Sequence, residues 1–169
     1  DNIDFDITTI STQANMQKTV CHFTAKEDMV FAGKEIIIQA FIKNCSIRSI
    51  IRDGLKVKKG GVIASLVGPI DTILQKERVV LNLIQRLSGI ATTTKKLAEK
   101  LEPHNIQLLD TRKTTPGLRV FEKFAVCIGG GINHRLSLKE AVMIKDNHLI
   151  GNPNIKDAVA KALSANPDK

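Results

Sequence analysis

Hydrophobic and polar residues alternate from Gln17 to Ala25, with Val20, His22 and Thr24 on one face and Cys21, Phe23 and Ala25 on the other, the period of two that a strand requires. Ser46 to Ile51 predicts a second strand. Between them Gly33 precedes an apolar-rich stretch, Ile36 to Ile42, which reads as the end of a helix with Asn44 as its cap, although the period there is ambiguous. Asp53-Gly54 and Gly60-Gly61 are turn signals on either side of Leu55 to Lys59. Val62 to Val67 then predicts another strand, ended by Gly68-Pro69. This first part reads as a small α+β layer.

From Asp71 the period changes. Ile73, Leu74, Val80, Leu81, Ile84, Leu87 and Ile90 recur at helical spacing, with no proline until Pro103, so one long helix is expected, or two joined near Gly89. Beyond Pro103, the short apolar run Ile106 to Leu109 meets Asp110 and precedes a helix whose first turn holds Pro116, a strand-then-helix unit. Gly129-Gly130-Gly131 ends that helix, Val142-Met143-Ile144 predicts another buried strand, and Ile155 to Leu163 another helix. No internal repeat is evident, and the β/α alternation is the only large-scale period.

Composition narrows the class. With 43% hydrophobic residues, 169 residues can bury a core as one large domain or two small ones. The longest apolar stretch, Met29 to Ile42, is interrupted by Lys34 and Glu35 and falls short of the roughly 20 residues of a membrane-spanning helix, so no membrane span is expected. The first residues, Asp1 to Asp6, are acidic, the reverse of a secretory leader, and imply a cytoplasmic protein. Cys21, Cys45 and Cys127 lack CxxC spacing, so buried or half-buried thiols are expected rather than a disulfide framework or zinc site. A formal net charge of +8 favours an anionic partner. The absence of Trp and Tyr, and of any recognition motif, ranks nucleic acid well below a phosphorylated metabolite.

The positions of the charges sharpen this. In α/β barrels, polar groups gather where strands end, above a packed core. The first expected strand of the second part runs into Asp110-Thr111-Arg112-Lys113-Thr114-Thr115, the second into Lys145-Asp146-Asn147-His148, and Asn133-His134-Arg135 lies between them. Arg112, Lys113, His134, Arg135 and Lys145 are thus candidate cations for one site. Arginine grips a carboxylate or phosphate with two prongs while lysine supplies a mobile point charge, a mixture suited to a small polyanion. Lys56, Lys58, Lys59, Lys95 and Lys96 read as solvated surface, and His22 and His104 as structural. Gly129 to Gly131 fit a phosphate cradle of backbone N–H groups and a simple helix stop about equally well.

Four ordered motifs resemble the quinolinate phosphoribosyltransferase (nicotinate-nucleotide pyrophosphorylase, carboxylating) family. They are Glu77-Arg78 through Asn82 to Gln85-Arg86-Leu87-Ser88-Gly89-Ile90-Ala91-Thr92, Asp110 to Arg119, Gly129 to Arg135, and Ile144-Lys145-Asp146-Asn147-His148-Leu149. Asp4-Phe5-Asp6-Ile7-Thr8-Thr9 is similar to an early element of the same family. The resemblance implies an α/β protein, with an N-terminal α/β sandwich and its long helix over residues 1–104 and the first part of an open seven-stranded α/β barrel over 105–169. It further implies a truncated chain, with strand edges and apolar surface exposed.

The same resemblance implies phosphoribosyl transfer from phosphoribosyl pyrophosphate to quinolinate with loss of CO2, in NAD biosynthesis. Quinolinate carboxylates would be bound by Arg112, His134, Arg135 and Lys145, with Lys113 and Lys145 beside the phosphoribosyl donor as the catalytic pair. Arg86 would reach into the site of a partner subunit in a homodimer or higher oligomer. Mg2+ is expected with the donor, its acidic contacts lying outside these residues. The alternatives are a relative acting on another substrate, a nicotinate phosphoribosyltransferase that does not decarboxylate, and a non-catalytic fragment. The Asp53-Gly54 to Gly60 turns also resemble a biotinyl or lipoyl carrier domain, but no Met-Lys-Met tetrapeptide accompanies them.

Overall fold

The alternation at the start of the chain produces β1 (Lys18–Thr24), whose Cys21 and Phe23 turn inward while Val20 and His22 face out. The structure is a computed structural model and describes residues 6–12 and 17–168, so Asp4 and Phe5 of the early motif lie outside the described residues. After the short α1 (Ile7–Thr12), β1 pairs antiparallel with β5 (Val62–Pro69), which pairs antiparallel with β3 (Ser46–Ile50), giving the order β1-β5-β3. β5 is two residues longer than its apolar run predicts, because Gly68 and Pro69 still pair with Thr19 and Lys18. A second small sheet joins β2 (Met29–Val30) to β4 (Lys56–Val57) within the stretch expected between the two turns.

The ambiguous run resolves as α2 (Lys34–Phe41). Its first turn is capped from a distance: the Asp53 carboxylate accepts from the N–H groups of Gly33 at 2.7 Å and Lys34 at 3.0 Å. Asn44 is not the left-handed cap expected of it, since the N–H groups of Asn44 and Cys45 fold back onto the Phe41 carbonyl. α3 (Ile70–Leu101) runs 32 residues without a break at Gly89. Its buried stripe, Ile73, Val80, Ile84, Leu87, Ala91 and Thr94, steps two turns from Ile73 to Val80 and then recurs every three or four residues. Among the described residues, no helix is long and apolar enough to cross a membrane.

One face of α3 closes a core with Phe23, Phe31, Ile37, Phe41, Ile63 and Leu66, in which Phe23 and Phe41 meet edge to face at 6.0 Å. Farther along, Leu87 and Ala91 pack with Val30, Ala32 and Ala125. Hydroxyls on α3 also serve the backbone of the β2 segment: Thr92 Oγ1 accepts from Val30 N–H at 2.8 Å and Ser88 Oγ from Ala32 N–H at 3.1 Å. Cys45 is buried and Cys21 half-buried, as expected, but Cys127 is exposed.

Past α3 a turn of 3-10 helix (Glu102–His104) ends at Asn105 in the left-handed region, and α4 (Arg119–Ile128), α5 (Asp146–Gly151) and α6 (Ile155–Ala165) follow. The strand expected at Ile106 to Leu109 is reduced to one parallel bridge, Leu109 to Ile132. The buried strand expected at Val142 to Ile144 does not form: the segment lies in no ladder, and Val142 and Met143 are exposed. An apolar run becomes a strand only where a neighbour offers a row of hydrogen-bonding groups, and among the described residues no element does so there. Val120, Ile150 and Leu163 are likewise exposed, the uncovered apolar surface that the sequence leads one to expect.

Candidate active site

α4 organises the cationic segments. Arg119, Glu122 and Lys123 stand at i, i+3 and i+4 on one side of the helix, and each holds a different piece of loop. Arg119 donates from Nε to Thr114 Oγ1 at 3.2 Å, from Nη1 to the Leu136 carbonyl at 3.3 Å and from Nη2 to the Arg112 carbonyl at 3.5 Å. Glu122 accepts Arg86 Nε at 2.7 Å and the Thr115 N–H at 3.2 Å. Burial pushes its carboxyl group up, but the hydrogen bonds from Arg86 and Thr115 outweigh this and hold it below the usual range.

Lys123 and Asp110 form an ion pair at 2.5 Å, with side chains only 2% and 6% exposed. Lys123 Nζ also donates to the His134 carbonyl at 3.2 Å, and the His134 N–H donates to Asp110 Oδ1 at 2.9 Å. With its amide oriented to suit its neighbours, Asn133 donates to Asp110 Oδ2 at 2.7 Å and to the Lys123 carbonyl at 2.9 Å. Two charges this deeply enclosed are tolerable because each is paired and hydrogen-bonded again.

These contacts tie three stretches of chain to α4: Arg86 through its side chain, and Arg112 (with Lys113 beside it) and His134 (with Arg135 beside it) through their backbone carbonyls. Arg86, half exposed, is anchored by Glu122 and by a 2.5 Å bond to Thr115 Oγ1. Arg112 is half-buried, and its enclosed Nε has no acceptor among the described residues. His134 is half-buried and fixed through its backbone, and Arg135 donates from Nη1 to the Ala141 carbonyl at 2.7 Å. Lys113 and Lys145 are exposed, and among the described residues no hydrogen bond or ion pair ties either side chain to the other four. Lys145 opens α5, its N–H donating to His148 Nδ1 at 3.2 Å.

The phosphate-cradle reading of the triple glycine does not survive. The N–H groups of Gly129, Gly130 and Gly131 donate to the carbonyls of Ala125, Cys127 and Val126 at the end of α4, so none is free for a ligand. Glycine is needed there for close approach: a Cβ at Gly129 would lie 2.5 Å from the Ala91 carbonyl oxygen of α3. Enclosed space does not mark the site either. A cavity of about 450 Å3 lies between the β1–β2 connection and α3, and another of about 380 Å3 near the end of α3; neither is lined by the candidate cations. Among the described residues there is no cluster of three or more His, Cys, Asp or Glu that could hold a metal ion.

Glu122 and Lys123 escaped the sequence reading, and Arg119 entered it only as the last letter of a motif. A signal was present: in Arg119 to Val126 the charges share one helical face and Val120, Phe121 and Phe124 another, but spacing alone does not say which face turns inward.

Two family models match the chain in succession: the N-terminal domain of quinolinate phosphoribosyl transferase over residues 6–88 and its C-terminal domain over 90–169. A probable nicotinate-nucleotide pyrophosphorylase [carboxylating] of Bacillus subtilis is 48% identical over 152 residues, covering 88% of this chain and 53% of the relative. Quinolinate phosphoribosyltransferase [decarboxylating] 1 of Nicotiana glauca is 44% identical over 163 residues, covering 95% of this chain and 45% of the relative. Among solved structures, the nicotinate-nucleotide pyrophosphorylase from Francisella tularensis superimposes with a TM-score of 0.88 at 39% identity, over 97% of this chain and 59% of that one. NadC from Streptococcus pyogenes gives 0.87 at 36%, over 95% and 59%. The chain spans about half the length of the curated relatives it matches. Two consecutive domain models that leave almost no residue unmatched, and the same mixed α/β architecture in solved relatives, establish that the chain belongs to the quinolinate phosphoribosyl transferase family.

Proposed function

We propose that the protein carrying this chain transfers a phosphoribosyl group from phosphoribosyl pyrophosphate to quinolinate, releasing pyrophosphate and CO2 and leaving nicotinate mononucleotide, as a cytoplasmic step of NAD biosynthesis. The observation that carries the reading is the tethering of the Arg112 segment and the His134-Arg135 segment to one helix face, through Arg119 in the first case and Lys123 in the second. Two strongly anionic reactants repel each other unless fixed positive charge surrounds them. Arg112, His134, Arg135 and Lys145 take the two carboxylates in this proposal, and Lys113 and Lys145 face the donor. Lys113 and Lys145 are exposed, and with no ion pair to either among the described residues they keep the mobility to follow a polyanion as it changes.

Holding both reactants directs the ring-nitrogen lone pair at ribose C1 while the C1–O bond to pyrophosphate breaks, its electron pair leaving with pyrophosphate. The pyridinium nitrogen then draws electrons from the adjacent C2–carboxylate bond. CO2 departs, the pair stays on C2, and a proton takes its place. Mg2+ fits this chain's residues poorly as a resident ion: the Asp110 carboxylate is occupied by Lys123, His134 and Asn133. It is proposed to arrive on the donor's own phosphate oxygens, and no step here runs through it.

The proposal includes a homodimer or larger assembly in which Arg86 serves the site of the neighbouring copy; its half-exposed guanidinium supports this. It also includes a boundary near residue 104 between an α/β sandwich and the first part of an open seven-stranded barrel, consistent with the 3-10 turn and left-handed Asn105 there. Incubating the intact gene product with quinolinate and phosphoribosyl pyrophosphate tests the reaction. CO2 and nicotinate mononucleotide in equal amounts are expected. Product from nicotinate alone, without CO2, would replace this reading with that of a non-decarboxylating relative.

A further inference from the structure

The backbone of His134 is held at both polar groups by one buried ion pair: its N–H donates to Asp110 Oδ1 and its carbonyl accepts from Lys123 Nζ. Asn133, the preceding residue, adds two bonds to the same pair of residues. Asp110 lies two residues before Arg112, and His134 one before Arg135. The pair therefore connects the start of one arginine-bearing segment to the other at its closest point. A buried ion pair adds little net stability compared with apolar side chains of similar volume. What apolar side chains cannot reproduce is the direction imposed on the His134 backbone.

We propose that Asp110 and Lys123 are positioning residues that set the spacing and orientation of His134-Arg135 relative to Arg112. This rests on the reading that these cations grip a dicarboxylate. Two arginines that must meet two carboxylates of a rigid ring tolerate little error, and a shift of about 1 Å between them costs tens of fold in binding. Neither Asp110 nor Lys123 touches substrate in this arrangement, since both side chains are all but closed to solvent.

The test replaces both charges together, Asp110→Leu with Lys123→Met, so that no lone buried charge remains. In the intact gene product, cooperative thermal unfolding is expected to persist, while the His134 amide exchanges with solvent about 10-fold faster or more, having lost its acceptor. KM for quinolinate should rise about 10-fold, with a smaller change in kcat and in KM for the donor. A double variant that unfolds cooperatively but keeps the parental KM overturns the proposal. Should the double variant fail to fold, Asn133→Ala decides: it removes only the outer bonds to the pair, a rise of about 3-fold in KM is expected, and an unchanged KM overturns the idea. If the parent protein turns over no quinolinate, the functional reading fails by itself. The exchange measurement then stands alone, and an unaltered His134 exchange rate in the double variant refutes the positioning role.

Discussion

Arg112 carries an enclosed Nε that finds no acceptor among the described residues, while its carbonyl accepts from Arg119. Its side chain thus contributes little to folding, and an unsatisfied donor is itself a small cost. Arg112→Ala should leave the melting temperature within about 2 °C of the parent, yet raise KM for quinolinate about 10- to 100-fold, the value of one or two charge-assisted bonds. Loss of cooperative unfolding in that variant would mean the residue is structural. Glu122 makes the opposite case. Its carboxyl group, lowered against the pull of burial, contributes stability that is complete above its ordinary value of 4.5 and is lost as pH falls through the lower folded value. Urea unfolding of the parent and of Glu122→Gln should therefore differ most near neutral pH and converge only in acid, below the lowered folded value, as the parent carboxylate takes up its proton. A constant gap across that range would contradict the assignment. The candidate cations were legible because motifs are local; Glu122 and Lys123 were not, because a charged residue on a helix reads as solvated until something is known to cover it.

Between α3 and α4 the contact is set by glycine as much as by apolar side chains. Gly129→Ala would drive a Cβ to 2.5 Å from the Ala91 carbonyl oxygen, a backbone atom that cannot turn aside, and is expected to cost about 1–3 kcal/mol. Gly89, inside α3 with open space around its Cα, predicts the reverse: Gly89→Ala should stabilise this chain by about 0.5–1 kcal/mol through helix propensity. Thermal melts of the two variants side by side check both signs. Elements with a long period were read correctly, α3 and α6 above all, because their spacing repeats over many turns. The runs at Ile106 to Leu109 and Val142 to Ile144 were misread because a short apolar run states that a segment is to be covered, not that a neighbour is present.

For the molecule as a whole, Val120, Phe121 and Phe124 are exposed on α4, Ile150 on α5 and Leu163 on α6, large apolar side chains left facing solvent. The chain by itself is expected to bind anilinonaphthalene sulfonate and to associate as its concentration rises, which fluorescence and sedimentation velocity will read. A chain that stays monomeric and dye-free would show that these side chains do not make one continuous patch. Assembly supplies the other whole-molecule prediction. Mixing Arg86→Ala with Arg135→Ala versions of the intact gene product should restore part of the activity if Arg86 serves a neighbouring copy, since a mixed dimer then holds one complete site. No recovery would confine Arg86 to its own chain, where it already bonds Glu122 and Thr115.

By itself the sequence determined the family, the long helix, the strands of the first sheet and the candidate cations, since each rests on residue types at short, fixed spacing. Tertiary structure alone decided which face of α4 turns inward, that Asp110 and Lys123 meet across thirteen residues in the chain, and that Gly129 and Gly131 serve close packing and Gly130 a left-handed turn instead of an anion. The reason is common to all three. Burial of a charge, pairing of a strand and use of a backbone N–H depend on what lies opposite in space, and a linear pattern records only what lies nearby along the chain.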